Sequence, residues 1–269
     1  MALRAISLFS GVGGLDLGLR DAGVARTVCY VEREAHAAAV LVARMADGRL
    51  DEAPIWSDVC SFDGRPWRGS VDLVVGGFPC QDISSAGSRA GIIDGARSGL
   101  WREYARIVRE VGPRFVFVEN VGALLVRGVD VVLGDLAGMG FDAEWGVFRA
   151  SDVGAPHRRE RIFILADTDR RGLGICGRPE RSRVERAPRD ESDGRHPGSR
   201  APWPPGRNDA AGWRDYLERH PGLEPALRRG THGSAGRVDR LRGLGNAVVP
   251  DVAALAWETL MRRMTGGRP

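Results

Sequence analysis

Short apolar runs alternate with longer amphipathic stretches over the first two thirds of the chain. The apolar runs predict strands over 3–9, 27–32, 71–76, 114–119 and 161–166. The amphipathic stretches predict helices over 14–22, 34–46, 99–111 and 129–138. The first three end one or two residues before a glycine, as helices commonly do. Strands that alternate with helices in this way predict an α/β fold.

The pattern changes after Thr168. From there to about Arg237, Gly, Pro, Arg, Asp and Ser dominate, with one short helical pattern around 213–219. The residues from Val238 to Met264 are apolar and helical again. The sequence therefore predicts one core domain, formed by 1–167 and 238–269, that is interrupted by a small irregular insertion over 168–237.

Composition excludes several function classes. All 39 basic residues are arginine, so Schiff-base chemistry, pyridoxal phosphate and a P-loop lysine are excluded. No apolar stretch approaches the roughly 20 residues that span a bilayer. The chain begins almost directly with a strand pattern and has few cysteines, so we expect no signal peptide, no membrane association and a cytoplasmic location.

Positive charge is concentrated in the insertion. Residues 170–207 contain ten arginines and five acidic residues, an excess of 5, whereas the whole chain has an excess of 39 − 35 = 4. The rest of the chain therefore nets 4 − 5 = −1. A surface that binds phosphates needs such an excess, although a disordered linker would also tolerate it.

A glycine-rich loop between the first strand and the first helix indicates a nucleoside site. In SGVGG, Gly11 and Gly13 let the backbone approach a ligand, and the helix presents free N–H groups. Glu32 ends the next strand about 20 residues later, where an acid commonly binds ribose hydroxyls. Asp58 is placed to accept from an adenine amine. The spacing fits a dinucleotide as well as a methyl-donor nucleoside, and an ordinary turn with two solvated acids would also explain it.

The cysteines suggest one reactive thiol at most. None of the four, Cys29, Cys60, Cys80 and Cys176, belongs to a C-x-x-C pair or lies near a histidine cluster, which argues against a metal site and a disulfide framework. We expect Cys29 and Cys60 to lie in apolar or strand-like surroundings and interpret them as structural residues. Cys80 follows a strand and the residues GGFP, with polar residues after it. The pattern leaves a nucleophile and an ordinary buried cysteine equally open.

Two further segments carry charge at the ends of strands. Glu119 in RFVFVENV ends a hydrophobic run, where burial can raise a carboxyl pKa and make the group a proton donor. In HRRERIFILA, the period of a strand places Arg159 and Arg161 on one face. A solvated strand edge would explain these arginines as well.

Together and in this order, FSGVGGLDLG, GFPCQDIS, ENV, HRRER and RLRGLGNAVVP resemble the motifs of the DNA cytosine-5 methyltransferase family. The resemblance covers 1–166 and 238–269. It implies an S-adenosylmethionine-dependent methyltransferase core, a Rossmann-like sheet with helices on both faces, and it makes the insertion a small target-recognition domain. His157 departs from the pattern, because many members have Gln there, and this puts the fine geometry at that position in doubt.

The resemblance also implies residue roles. Cys80 would be the nucleophile toward C6 of a flipped-out cytosine, Glu119 would protonate the ring at N3, and Arg161, with Arg159 beside it, would hold O2. The residues implied to line the S-adenosylmethionine pocket are Phe9, Gly11, Gly13, Leu15, Glu32, Asp58 and Asn246.

Double-stranded DNA is the implied partner of a monomeric enzyme. A restriction endonuclease that acts on the same site is a candidate companion, and the sequence leaves open whether the enzyme belongs to a restriction-modification system or acts alone. Three alternatives stay open. Relatives that methylate tRNA cytosine typically carry Pro-Pro-Cys, where this chain has Phe78-Pro79-Cys80. A catalytically idle DNA-binding regulator would have no need to retain Cys80, Glu119 and Arg161. A nicotinamide dehydrogenase would use the glycine loop and Glu32 but not Cys80.

Overall fold

The computed structural model describes residues 2–79, 99–168, 210–219 and 247–266. Within these ranges one seven-stranded sheet forms the centre of the molecule, in the order β3-β2-β1-β4-β5-β7-β6. The strands are β1 (Leu3–Leu8), β2 (Ala25–Val31), β3 (Ile55–Trp56), β4 (Leu73–Gly76), β5 (Phe115–Val121), β6 (Asp142–Arg149) and β7 (Glu160–Asp167). The first five pair in parallel, whereas β7 lies antiparallel between β5 and β6.

Helices cover both faces of the sheet. They are α1 (Gly14–Asp21), α2 (Ala35–Ala46), α3 (Gly99–Val111), α4 (Leu124–Arg127), α5 (Val129–Gly138), α6 (Ala210–Arg219) and α7 (Pro250–Met264). Helices α3 and α5 contribute to the hydrophobic cluster on one face, and α1 and α7 contribute to the cluster on the other. The expected α/β architecture with a two-sided helical covering is confirmed.

The alternation of side chains along the strands produces these two clusters. In β5, Val116 and Val118 join the α3 face, whereas Phe115 and Phe117 join the α7 face. Both faces are apolar because parallel strands covered by helices are buried on both sides. The strand interiors are therefore mostly apolar, and the polar side chains of the candidate site lie at the strand ends.

Helix α3 shows why its sequence is helical. Its buried residues recur at helical spacing, and they are Trp101, Tyr104, Ala105, Ile107, Val108 and Val111. The hydroxyl of Tyr104 reaches the carbonyl oxygens of Val74 at 3.3 Å and Phe117 at 3.2 Å, which lie on neighbouring strands. The opposite face of the helix carries charged side chains that contact the loops following β3.

The five predicted strands and the helices over the described residues are present, and the structure adds two strands, β3 and β6. Cys29 is buried in β2, but Cys60 is exposed in a 3-10 turn (Val59–Ser61), so our expectation of apolar surroundings is wrong for Cys60. The division into a core domain and an insertion stays a prediction. Most of the insertion, including Cys176, lies outside the described residues.

Candidate active site

The candidate site lies where the parallel strands end. The carboxyl ends of β1, β4 and β5 lie side by side in the sheet and lead into the glycine loop, the GFP segment and Glu119-Asn120. Antiparallel β7 begins at the same edge, with Arg161 paired opposite Val121. Sequence segments that are far apart along the chain therefore meet at one edge, the usual position of ligand sites in such sheets.

Glu119 and Arg161 form a buried ion pair. Arg161 Nε lies 2.8 Å from Glu119 Oε1, and Glu119 is only 7% exposed. Burial raises the pKa of Glu119 to about 7, although the charges of Arg161 and Arg159 lower it. Near neutral pH the carboxyl is therefore divided between its protonated and ionised forms, as a general acid requires. The direction of this shift agrees with the one expected from the sequence, and the catalytic role of Glu119 stays a prediction.

Arg159 links this pair to the C-terminal segment. It precedes β7 with a positive φ of 22°, and its guanidinium donates to the carbonyl oxygen of Ala247. Its half-buried charge contributes to the electrostatics of Glu119, and burial together with Arg161 lowers the pKa of Arg159. Asn246, one residue before Ala247, lies outside the described residues.

The segment that leads to Cys80 packs directly against Glu119. A Cβ added to Gly77 would lie 2.5 Å from Glu119 Oε2, so a larger residue at this position would displace the Glu119 carboxylate. The buried Asn120 donates from Nδ2 to the carbonyl oxygen of Phe78 at 3.1 Å. Cys80 itself lies outside the described residues, but the backbone two residues before it is fixed to the strand that bears Glu119.

The glycine loop is fixed by an acid of the next strand. Phe9, Gly11 and Gly13 all have positive φ, which gives the loop its sharp turn. The buried Glu32 accepts from Gly11 N at 2.6 Å and from Glu34 N at 2.7 Å. This predicted nucleoside contact therefore also determines the shape of the loop.

The other predicted pocket residues have different surroundings. Leu15 is buried in the α1–α7 hydrophobic cluster. Asp58 caps the 3-10 turn that follows β3, where its Oδ1 accepts from Cys60 N at 2.9 Å. Strand β3 lies beside β2, and Glu32 N donates to the carbonyl oxygen of Trp56 at 2.9 Å. Glu32 and Asp58 therefore follow neighbouring strands at one edge of the sheet.

Two residues near the glycine loop have structural roles that we did not predict. Asp16 in α1 is 3% exposed and accepts from Ser7 Oγ at 3.0 Å and Thr27 Oγ1 at 2.8 Å. Burial raises its pKa to about 6. Arg44 of α2 donates to the carbonyl oxygen of Val12, a residue of the glycine loop, and so helps to fix the loop. The only signal for Asp16 in the sequence is an acid at a position within an apolar helix stripe.

Within residues 2–79, 99–168, 210–219 and 247–266, no group of three or more His, Cys, Asp or Glu side chains could hold a metal ion. No helix in the part of the chain that the structure describes is long and apolar enough to cross a membrane.

Several known proteins with similar sequences are Type II methyltransferases. The chain is 35% identical over 167 residues to the Type II methyltransferase M.CviJI of Paramecium bursaria Chlorella virus IL3A, covering 62% of this chain and 43% of that protein. It is 34% identical to M.Eco47II of Escherichia coli, covering 60% and 38% respectively. With M.AquIA of Picosynechococcus it shares 33% identity, covering 62% and 73%. The chain thus spans less than half the length of the first two relatives.

A solved structure also resembles the fold of this chain. The structure resembles the S. pombe Dnmt2 methyltransferase with a TM-score of 0.52 and 22% identity, covering 64% of this chain and 52% of that one. At this identity the likeness concerns the fold alone. The family model for C-5 cytosine-specific DNA methylases matches residues 3–183, which is more than half of the sequence. This chain belongs to the C-5 cytosine-specific DNA methylase family.

Proposed function

We propose that the protein is a DNA (cytosine-5-)-methyltransferase that transfers a methyl group from S-adenosylmethionine to C5 of a cytosine flipped out of duplex DNA. The observation that carries the proposal is the buried Glu119, whose pKa of about 7 lets it donate a proton while Arg161 lies against it. Family membership supports the choice of reaction.

The site chemistry follows from the electronic structure of cytosine. The thiolate of Cys80 would add to C6 and form an S–C6 bond, and the ring electrons would move toward C5 as Glu119 protonates N3. Arg161, with Arg159 beside it, would stabilise charge at O2. C5 would then accept the methyl group, with S-adenosylhomocysteine as the leaving group. Loss of the C5 proton to solvent and return of the N3 proton to Glu119 would expel the Cys80 thiolate and restore the aromatic ring. Because C6 is inaccessible within a duplex, the base must leave the helix first.

S-adenosylmethionine would supply the methyl group. The residues at the ends of β2 and β3 fit such a nucleoside, because the carboxylates of Glu32 and Asp58 are acceptors and ribose hydroxyls and an adenine amine are donors. The positive-φ loop of Phe9, Gly11 and Gly13 would bring backbone N–H groups to the ligand. Leu15 would support the loop from the core, and Asn246 would complete the pocket.

The proposal includes the partners. The names of the relatives, Type II methyltransferases, support duplex DNA as the substrate and a restriction endonuclease of the same specificity as a companion. We also propose a monomer as the active form. Residues 168–237 would form the target-recognition domain and the rest of the chain the catalytic domain.

A methyl-transfer assay tests the function directly. The full chain is incubated with tritiated S-adenosylmethionine and with duplex DNA, tRNA or neither, and Cys80→Ser is the matched inactive control. We expect label in DNA only, and a covalent adduct with duplex that contains 5-fluorocytosine at the target, because fluorine cannot leave as the C5 proton does. Label in tRNA alone would mean that tRNA and not DNA is the substrate. Full activity of Cys80→Ser would overturn the mechanism.

A further inference from the structure

Arg106 connects helix α3 to the turn that carries Asp58. It lies on the polar face of α3, and Nη2 donates to the carbonyl oxygen of Val59 at 2.9 Å. Nη1 donates to the carbonyl oxygen of Phe62 at 2.9 Å. One side chain therefore holds both ends of the segment that follows Asp58.

The guanidinium is itself held in place. Glu103 Oε2 accepts from Nε at 2.7 Å, and Glu110 Oε2 accepts from Nη1 at 2.8 Å. Glu110 Oε2 also accepts from Gly64 N at 2.9 Å, so the same carboxylate contacts the segment again two residues after Phe62. A planar guanidinium between two acids has little freedom, which makes it a rigid support for the two carbonyl groups.

The turn needs this support. It is a 3-10 turn of three residues, Val59–Ser61, whose own backbone bonds are Ser61 N to Asp58 O at 3.1 Å and Phe62 N to Val59 O at 3.3 Å. Short 3-10 turns have poor hydrogen-bond geometry. The carboxylate of Asp58 is in turn oriented by its bond to Cys60 N within the turn. The position of Asp58 Oδ1 therefore depends on where Arg106 holds the turn.

We infer that Arg106 is a positioning residue that fixes the Asp58 carboxylate for recognition of the exocyclic amine of the cofactor's purine. The inference rests on the proposed function, in which Asp58 accepts from that amine. Arg106 would affect recognition of the base and not of the ribose. Glu32, whose carboxylate accepts from Gly11 N and Glu34 N, would bind the ribose independently of Arg106.

Ligand selectivity tests this. Calorimetry on the full chain compares S-adenosylhomocysteine with the analogue whose purine lacks the 6-amino group. Wild type should prefer the adenosyl ligand by about tenfold or more, as expected for a hydrogen bond to a charged group. Arg106→Met should reduce the preference to less than about threefold and change the affinity for the amine-free analogue by less than about threefold.

Three variants complete the design. Asp58→Ala should abolish the preference, and adding Arg106→Met to it should have no further effect on selectivity. Arg106→Lys keeps a charge between the two acids but cannot reach both carbonyl groups, so an intermediate preference is expected. Arg68→Met is the matched control: Arg68 also joins α3 to the neighbouring loop, through the carbonyl oxygens of Arg109 and Glu110, and its loss should leave the preference intact.

The outcomes distinguish the inference from the proposed function. If Asp58→Ala lost the preference but both Arg106 variants kept it, the inference would be overturned and the cofactor site would stand. If wild type failed to bind the adenosyl ligand, or bound both ligands equally, the proposed use of Asp58 would fail first. If neither Arg106 variant folded, Arg106 would be a stability residue and the inference would be wrong.

Discussion

The side chain of Asn120 donates to the carbonyl oxygen of Phe78 at 3.1 Å, and its Oδ1 accepts from Val121 N at 2.8 Å. One buried amide thus joins the end of β5, next to Glu119, to the segment that leads to Cys80. Phe78 and Asn120 belong to segments that are more than 35 residues apart along the chain, and this bond joins those two residues.

Asn120→Asp should slow methyl transfer by about 10- to 100-fold, because a carboxylate keeps the shape of the side chain but cannot donate to Phe78 O when ionised. The affinity for S-adenosylmethionine should not change, since the proposed cofactor loop follows β1 and Glu32, which holds that loop, follows β2. The rate of adduct formation with 5-fluorocytosine duplex is measured beside calorimetric cofactor binding. Wild-type adduct rates in the variant would mean that the bond has no part in placing the thiol.

The ion pair of Glu119 makes a prediction about pH. If Glu119 must be protonated to activate the ring, the rate should fall as pH rises through about 7, the pKa to which burial raises this carboxyl. Arg161 lowers that pKa, so Arg161→Met should move the fall to higher pH while slowing the reaction overall. Single-turnover rates between pH 6 and 9 measure both effects. Glu119→Gln is the control, and an unchanged pH profile in it would assign the titration to another group.

Asp16 predicts how stability depends on pH. Its pKa rises from 3.8 to about 6 through burial, so the folded state binds the proton more tightly than the unfolded state. The free energy of unfolding therefore falls as pH rises from about 4 to about 6, by about 3 kcal/mol, and this cost persists above pH 6. Asp16→Asn has no such titration and can keep the hydrogen bonds to Ser7 and Thr27.

Urea unfolding at pH 4 and pH 8 tests Asp16→Asn. Its stability relative to wild type should improve by up to about 3 kcal/mol between the two pH values. Asp63→Asn is the control, because Arg65 lowers the pKa of the exposed Asp63 to about 2, below the range tested. An Asp16→Asn difference that did not vary with pH would show that the carboxyl titrates normally in the fold.

The sequence predicts the core of this fold well because its strands are short, apolar and buried on both faces. Our strand predictions omit β6 because the five predicted strands are continuous apolar runs, whereas β6 alternates Asp142, Glu144 and Gly146 with apolar residues. That two-residue period is typical of a half-buried strand, and β6 indeed lies at the edge of the sheet, paired with β7 and half-buried along most of its length. Strand β3 has two residues and produces almost no periodic signal.

At the site, motif resemblance finds the residues but not their geometry. It selects Glu119 and Arg161, and the structure adds that they form a 2.8 Å ion pair. It selects Leu15 as a pocket residue, and the structure places this side chain in the core, so the predicted cofactor contact stays a prediction and would involve the backbone of Leu15. The functions of Asp16 and Arg106 depend on hydrogen bonds between distant segments, which spacing along one chain does not reveal.

The last prediction concerns the insertion, within which the structure describes Thr168 and α6 and whose excess of arginine suits contact with phosphates. We expect replacement of residues 172–232 by a Gly/Ser linker to preserve cofactor binding and abolish site-specific methylation, because the arginines would contact phosphates and base edges. DNA affinity of wild type should fall steeply with salt, and the replaced protein should show a much shallower slope. In the control, Arg26 and Arg262, two exposed arginines of the core domain, are replaced by Gln, and this should leave the slope unchanged. Methylation of the same sites by the replaced protein would place recognition in the core and refute the assignment.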